Sequence, residues 1–476
     1  MRSFNSSLRL LRACVMAIVF SSYATAEQTA PTTVPTTAPA TAPATAPATA
    51  PTTTPTTTPT TAPTTTPTTA PTTPPFPVAG VSALGGRVFN IEPGMALNSL
   101  GPFLLPGDDV RLLPGVHIPF TLLDVHGESG KPIVIRGYQT EADKPLPYVK
   151  GEAFSILLLR PRHVILRDLM VGNSSGPTVF IDGSIGATPV LEETPFDANL
   201  NVINLQIKQT VPAPNQTSIY LRSMQNVDVS NIAIKGWNNA AVVLDNCKRV
   251  GISQCVFDCA KNLPQYRGVT IRSGCEDISC MYDSFGTTVK VAFEIGVCDT
   301  THQSPSADSS ARPAQRILIS HNAALECACF ISLGSVDNCA IVNNSCIEST
   351  QYFCKADGVC GVPNFITFEN NLITWVPGRL ERISLVAQGI PPESIRLQRN
   401  LWWSEELPTA FEIVGKPFGV EIAPQVFDIN PKVEMRGFIP VDPKARDFGW
   451  GQQISPTPTG ATQTPLQSQT PPQKPS

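Results

Sequence analysis

The chain has 476 residues, a formal net charge of −4, and only 15% charged residues. This near-neutral balance leaves no basic footprint for nucleic acid. A hydrophobic fraction of 42% supplies a large core, yet no segment is long and apolar enough to span a bilayer.

The N-terminus carries Arg2, Arg9 and Arg12, an apolar stretch over 13–20, and Ala24-Thr25-Ala26. A basic n-region, a short h-region and an A-x-A site predict a signal peptide over 1–26 and an exported, secreted or cell-surface protein. Cys14 precedes the apolar stretch, which argues against a lipid-anchored cysteine. From Pro31 to Pro71 proline falls at every fourth position among Thr and Ala. Such a segment cannot bury apolar surface, so 27–80 is expected to be a disordered Pro/Thr-rich stalk, either a spacer or an O-glycosylated arm. In polyproline II at ~3.1 Å per residue it would reach on the order of 120 Å. A second low-complexity tail, rich in Pro, Gln and Thr, is expected over 451–476.

Between these tails, 81–450 reads as one domain. Short alternating apolar runs are separated by Gly, Asn, Pro and Ser, which predicts many strands and no long helix. An entry segment, LLPGDDVRLLPGVHIPFTLLDVHGESGKPIVIRGY, covers 104–138. Downstream, a strand followed by Asn or a related polar residue and more apolar residues recurs. It appears as VILRDLMV (164–171), NVINLQI (201–207), VDVSNIAI (227–234), VGISQCVF (250–257), ILISHNAAL (317–325), CAIVNNSCI (339–347), ITFENNLIT (366–374) and IRLQRNLWW (395–403). A period of about 20–30 residues built from short strands predicts a solenoid with three strands per coil. Asn204, Asn231, Asn344, Asn371 and Asn400 are expected to form a turn ladder with a structural role.

A second cadence carries charge. Arg160, Asp182, Arg222, Asp245, Arg272 and Glu294 each follow an apolar run, as in SIYLR, AVVLD, GVTIR and KVAFE, and their signs alternate. Stacked coils would set them in one outward row. Alternation alone relieves repulsion between coils, so a plain salt-bridge ladder explains the row without catalysis.

Of 13 cysteines, all but Cys14 lie between Cys247 and Cys360. In an exported protein such a cluster favours disulfides, although spacing leaves the pairing open. Cys247, Cys275 and Cys298 recur at coil spacing, Cys255 and Cys280 lie one coil apart, as do Cys329 and Cys354, and Cys354 and Cys360 enclose a tight turn. Cys327-Ala-Cys329 and His321 do not make a zinc pattern. The five histidines stand in no nucleophile context, His163 reads as structural, and neither a G-x-S-x-G elbow nor a phosphate-binding loop occurs.

The entry segment, the repeats and the ending NLWWSEE…APQVFDINPKVEMRGFIPVDPKARDFGW resemble the right-handed parallel β-helix of the pectate-lyase-like superfamily. The resemblance implies an all-β fold, a single right-handed parallel β-helix solenoid over 81–450. It also implies a polysaccharide ligand and a substrate groove on the sheet that bears the charged row. A lyase of that kind neutralises a uronate carboxylate and abstracts the neighbouring proton. In that role Arg222 and Arg272 would bind carboxylates, and Asp245 with Glu294 would hold Ca²⁺ through oxygen ligands. The turn CAKNLPQYRG (259–268) offers Lys261 as base and Arg267 as second cation, with Arg272 beside them and Tyr266 to stack on a sugar. The W-I-D-H, N-T-D, G-H-G and R-I-K elements of pectate lyases and polygalacturonases are absent. GVTIRSG is similar to a strand motif of alginate and chondroitin lyases, whose later R-H-G element is missing. The expected function is therefore binding of an acidic polysaccharide by a monomer, with lyase-type cleavage of it. The alternatives are a non-catalytic or adhesin-like surface protein, and a glycoside hydrolase using carboxylates among Asp245, Asp258, Asp283 and Glu294.

Overall fold

The computed structural model describes residues 74–139, 145–184, 195–209, 213, 216–258, 266–287, 289–298, 312–405, 410–434 and 439–450. Three long sheets run its length, of 14, 11 and 10 strands. Apart from the antiparallel pair Val78–Val81 and Arg87–Ile91, every pairing within them is parallel. One coil comprises Met224–Ser230 in the first sheet, Ala233–Lys235 in the second and Ala240–Asp245 in the third. The next repeats the order with Lys248–Ser253, Val256–Asp258 and Arg267–Arg272. The chain is a parallel β-helix with three short strands per coil, as its period of apolar runs predicts. No helix among the described residues is long and apolar enough to cross a membrane.

Parallel stacking sets like residues over like. Val229, Ile252, Cys280, Ile319, Ile341, Phe368 and Leu397 form one inward column of the first sheet, coil upon coil. Within the core, Phe257 stacks on Phe285 at 4.7 Å, which meets Phe293 edge-on at 4.9 Å. The chain of rings continues through Phe330 and Phe353 to Trp402. These side chains are almost wholly buried, so most of the hydrophobic driving force lies in this continuous cylinder.

The corner between the first and second sheets explains the asparagines, in two adjacent slots rather than one. The first slot needs a left-handed backbone, and Asp168, Asn204, Asn231, Gln254, Tyr282, His321, Asn343, Asn370 and Arg399 occupy it with φ between 49° and 62°. Asn and Asp tolerate that conformation better than most residues. The next residue points inward: Leu169, Leu205, Ile232, Cys255, Asp283, Asn322, Asn344, Asn371 and Asn400 are all buried. Asn204 and Asn231 therefore belong to the outer slot, where Asn231 donates to Asn204 at 3.2 Å and Asn204 to Asp168 at 2.6 Å. The buried ladder is Asn322, Asn344, Asn371 and Asn400. Each amide oxygen from Asn344 onward accepts the backbone and side-chain N–H groups of the Asn one coil earlier, at 2.8–3.0 Å. Each amide nitrogen also donates to a carbonyl of the first-sheet strand one coil earlier: Cys280, Ile319, Ile341 and Phe368 in turn. Gln425 closes the series by accepting from Asn400 and from Trp402.

Asp283 continues this ladder with a carboxyl group. Its Oδ1 accepts the Cys255 N–H at 2.8 Å, and its Oδ2 is buried without a partner. Burial pushes its pKa up to about 8, against the two hydrogen bonds that Cys255 contributes. A carboxyl group sealed in the core cannot reach a glycan, so Asp283 leaves the set of hydrolase carboxylates.

The cysteines resolve differently from their spacing. Cys298 pairs with Cys360, closing a separation of 62 residues, so the tight Cys354–Cys360 turn is not a bridge. Cys354 remains a buried thiol, as do Cys247, Cys255, Cys275, Cys280, Cys327, Cys329, Cys339 and Cys346. Cys247 and Cys275 do stack, the Cys247 N–H meeting the Cys275 Sγ at 3.4 Å. Burial raises the thiol pKa of Cys255, Cys275, Cys280, Cys329, Cys339, Cys346 and Cys354, which makes these groups packing residues, poor as nucleophiles. Cys259 lies outside the described residues.

Two outcomes follow for stability. Asn371→Ala orphans the N–H and amide of Asn344 and should cost about 2–4 kcal/mol in urea unfolding, whereas Asn231→Gly, which keeps the positive φ, should cost under about 1 kcal/mol. Folded Asp283 keeps a proton that the unfolded chain releases near pH 4. Stability from this group is full below that pH and falls by up to about 1.4 kcal/mol per unit until the folded pKa is passed. Asp283→Asn should flatten the profile between pH 4 and 8, and parallel profiles for the two proteins would show that Asp283 is not held protonated.

Candidate functional site

The outer face of the third sheet carries most of the charged row, with two displacements. Asp182, Arg222 and Asp245 are direct neighbours on successive coils, and Arg272 continues the column one residue beyond the paired Leu244 and Ile271. Leu159, not Arg160, pairs with Asp182, so Arg160 lies one position past the column and bonds Asp124 at 2.6 Å. Glu294 pairs with Thr270, and the register shift after Ile271 sets Val297 opposite Arg272. Glu294 thus belongs to a parallel column running Phe180, Tyr220, Val243, Thr270, Glu294, Ser332, Lys355.

Within these columns each guanidinium meets a carboxylate. Arg222 Nη2 donates to Asp182, which is fully buried. Arg272 Nη1 donates to Asp245 at 3.1 Å and to the Tyr220 oxygen at 3.0 Å, and Tyr220 donates its phenol proton to Asp245 at 2.7 Å. Arg267 meets Glu294 at 2.5 Å and donates to Asn239 at 2.7 Å. Burial works against the charge of Arg222, yet its bond to Asp182 leaves its pKa raised. Burial raises the Glu294 pKa despite Arg267. For Tyr220, burial and then the Asp245 charge both push the pKa up.

The rings add a flat surface. Phe180 and Tyr220 stack at 5.2 Å with 16° between planes, Arg222 lies over Phe180 at 5.4 Å, and Arg272 over Tyr220 at 5.5 Å. Phe180 and Tyr220 stand two residues before Asp182 and Arg222, so the strand period of two already pointed them outward. That parity was the available signal for both.

The remaining predicted residues separate. Tyr266, just before the strand Arg267–Arg272, is 42% exposed, with Lys290 Nζ 4.2 Å above its ring, and Lys290 had no sequence signal. Lys261 lies outside the described residues. Asp258 sits on the second sheet, 3.9 Å from Lys235. Asp245 and Glu294 occupy different columns with different arginines, and no three Asp, Glu, His or Cys groups converge on a metal-sized site among the described residues. A cavity of about 620 Å³ is lined by Leu397, Trp403, Phe411, Phe427 and their neighbours, and no residue of the charged columns lines it.

No family model matches the chain, and no curated protein does. Among solved structures, the chain is similar to the GH136 lacto-N-biosidase from Eubacterium ramulus, at TM-score 0.46 and 12% identity, covering 70% of this chain and 64% of that one. It therefore spans under two thirds of that enzyme's length. An alginate lyase from Paenibacillus sp. str. FPU-7 gives TM-score 0.41 and 13% identity, over 64% of this chain and 98% of that one. The catalytic domain of a GH87 α-1,3-glucanase in complex with nigerose gives 0.43 and 9%, over 76% and 71%.

An ordinary tyrosine is half ionised near pH 10. The ultraviolet difference between wild type and Tyr220→Phe should show no phenolate there. A phenolate signal at pH 10 would mean that the Asp245 contact is not held in solution.

Proposed function

We propose that this chain is an exported polysaccharide-binding β-helix protein whose contact surface is the outer face of the third sheet around Phe180, Tyr220, Arg222 and Arg272. The observation that carries the reading is the stacked Phe180–Tyr220 pair bracketed by two guanidiniums. Flat rings beside planar donors present an apolar surface to the C–H face of a pyranose and N–H groups to its hydroxyls. The basic, apolar and Ala-Thr-Ala order of residues 1–26 supports export, and the Pro/Thr stretch suits a stalk.

Binding is favoured over cleavage because proton transfer needs a free base. Arg222, Arg267 and Arg272 each donate to a carboxylate, so they serve as donors and none is placed as a base. Tyr220 keeps its proton on Asp245. Lyase chemistry would rest on Lys261.

The test exposes the full chain to a panel of neutral and uronate glycans, with retention, ultraviolet absorbance of unsaturated ends and new reducing ends read together. Retention without either product is expected. Phe180→Ala and Tyr220→Ala should each weaken retention about tenfold, equivalent to about 1.4 kcal/mol. An unsaturated product lost in Lys261→Ala would replace this reading with a lyase, and retention unchanged in both aromatic variants would overturn the proposed face.

A further inference from the structure

We propose that a second face, on the first sheet near the N-terminal end of the coil, binds the anionic groups of an acidic glycan through Arg111, Arg136 and Arg167. These three residues lie directly opposite one another on successive strands, Asp109–Leu112, Ile133–Gly137 and Val164–Arg167. Parallel strands put them about 4.8 Å apart. Like charges at that separation oppose the stacking of the coils. The third-sheet column relieves this by alternating sign; here three arginines follow one another.

Two carboxylates stand against the three guanidiniums. Asp109, 6% exposed, accepts from Arg111 Nε at 2.7 Å and from Arg136 Nε and Nη2 at 2.9 Å each. Burial opposes ionisation of Asp109, but these two arginines hold its pKa below the ordinary value. Asp168 lies 3.4 Å from Arg167 Nε while accepting from Asn204 at 2.6 Å. Among the described residues, one positive charge of this column is left over. Among the described residues, neither Nη of Arg111 or Arg167 has a hydrogen-bond acceptor, and the buried Arg167 Nε has none either. Tyr138 supplies a ring beneath Arg111 at 5.0 Å and Arg136 at 5.7 Å. The column is bounded by Asn90 on one side, and by Ile203 on the other.

The open guanidinium edges of Arg111 and Arg167 stand two coils apart on either side of the Asp109-bound Arg136, a fixed spacing that fits a polymer bearing anionic groups at regular intervals. Carboxylate matches the fork in plane and charge, and the coil repeat is close to the length of one pyranose. The ligand class is thus a short run of uronate or sulfated sugar lying along the coil axis. This site stands on its own face and does not depend on the third-sheet reading.

The experiment uses the full chain, with calorimetric titration of an oligogalacturonate, a sulfated oligosaccharide, a neutral maltooligosaccharide and a single-stranded oligonucleotide, and hydrogen exchange in each bound state. Oligogalacturonate or sulfated sugar should protect peptides spanning 109–112, 133–138 and 164–168, and whichever binds tighter names the source of the anion. Arg167→Ala should lower that affinity at least fivefold, and Arg111→Gln, an independent variant, should do the same. Affinity for the acidic sugar should also fall steeply with added salt. Unchanged affinity in both variants, protection confined to 217–245, or equal affinity for the neutral sugar or the oligonucleotide would each overturn the proposal.

Discussion

Parallel stacking places every residue about 4.8 Å from its counterparts on the adjacent coils, and that constraint decides what each column of this protein can hold. An inward column must tolerate its own kind as neighbour, so it fills with Val, Ile, Leu, Phe and the buried Cys280. The rings from Phe257 to Trp402 stack through the core for the same reason. An outward charged column must either alternate in sign or share carboxylates between like charges. Both solutions occur here, on different sheets.

The corner shows the constraint acting on hydrogen bonds. An amide has donors and an acceptor, so an Asn can satisfy the coil before it and the coil after it at once. Asn322, Asn344, Asn371 and Asn400 do so inside the wall. Toward the N-terminal end the same slot holds Cys255, Ile232, Leu205 and Leu169, and the ladder gives way to apolar packing. Asp283 stands at the junction, where a protonated carboxyl group serves in place of an amide and couples the wall to pH.

On the third sheet, pairing of nearly every charge lowers what those charges can do for a ligand. Arginines fixed by Asp182, Asp245 and Glu294 are poor bases and weak seekers of further carboxylate. What they leave available is planar: ring faces and guanidinium edges held rigid by the strand beneath. The first-sheet arginines differ because, among the described residues, two carboxylates serve three of them. The same side chain is thus a strut on one face and a free fork on another, according to what its neighbour one coil away carries.

Much of this was legible in the residues. The repeat of strand, polar corner and strand located the coils, and the alternation in SIYLR and AVVLD placed Arg222 and Asp245 outside. Spacing did not separate the two corner slots, because Asn suits the left-handed position of Asn231 as well as the buried position of Asn344. Nor did it show that the register slips after Ile271, which moves Glu294 out of the column of Asp245. The pairing of Cys298 with Cys360, and not of Cys354 with its near neighbour in sequence, also depends on which side chains turn inward. The sequence by itself determined the period, the apolar columns and the family of charges that face outward, since these follow from local alternation. Only the tertiary structure decided which charge meets which, because register is a relation between coils 20 or more residues apart, and one shifted residue exchanges every partner in a column.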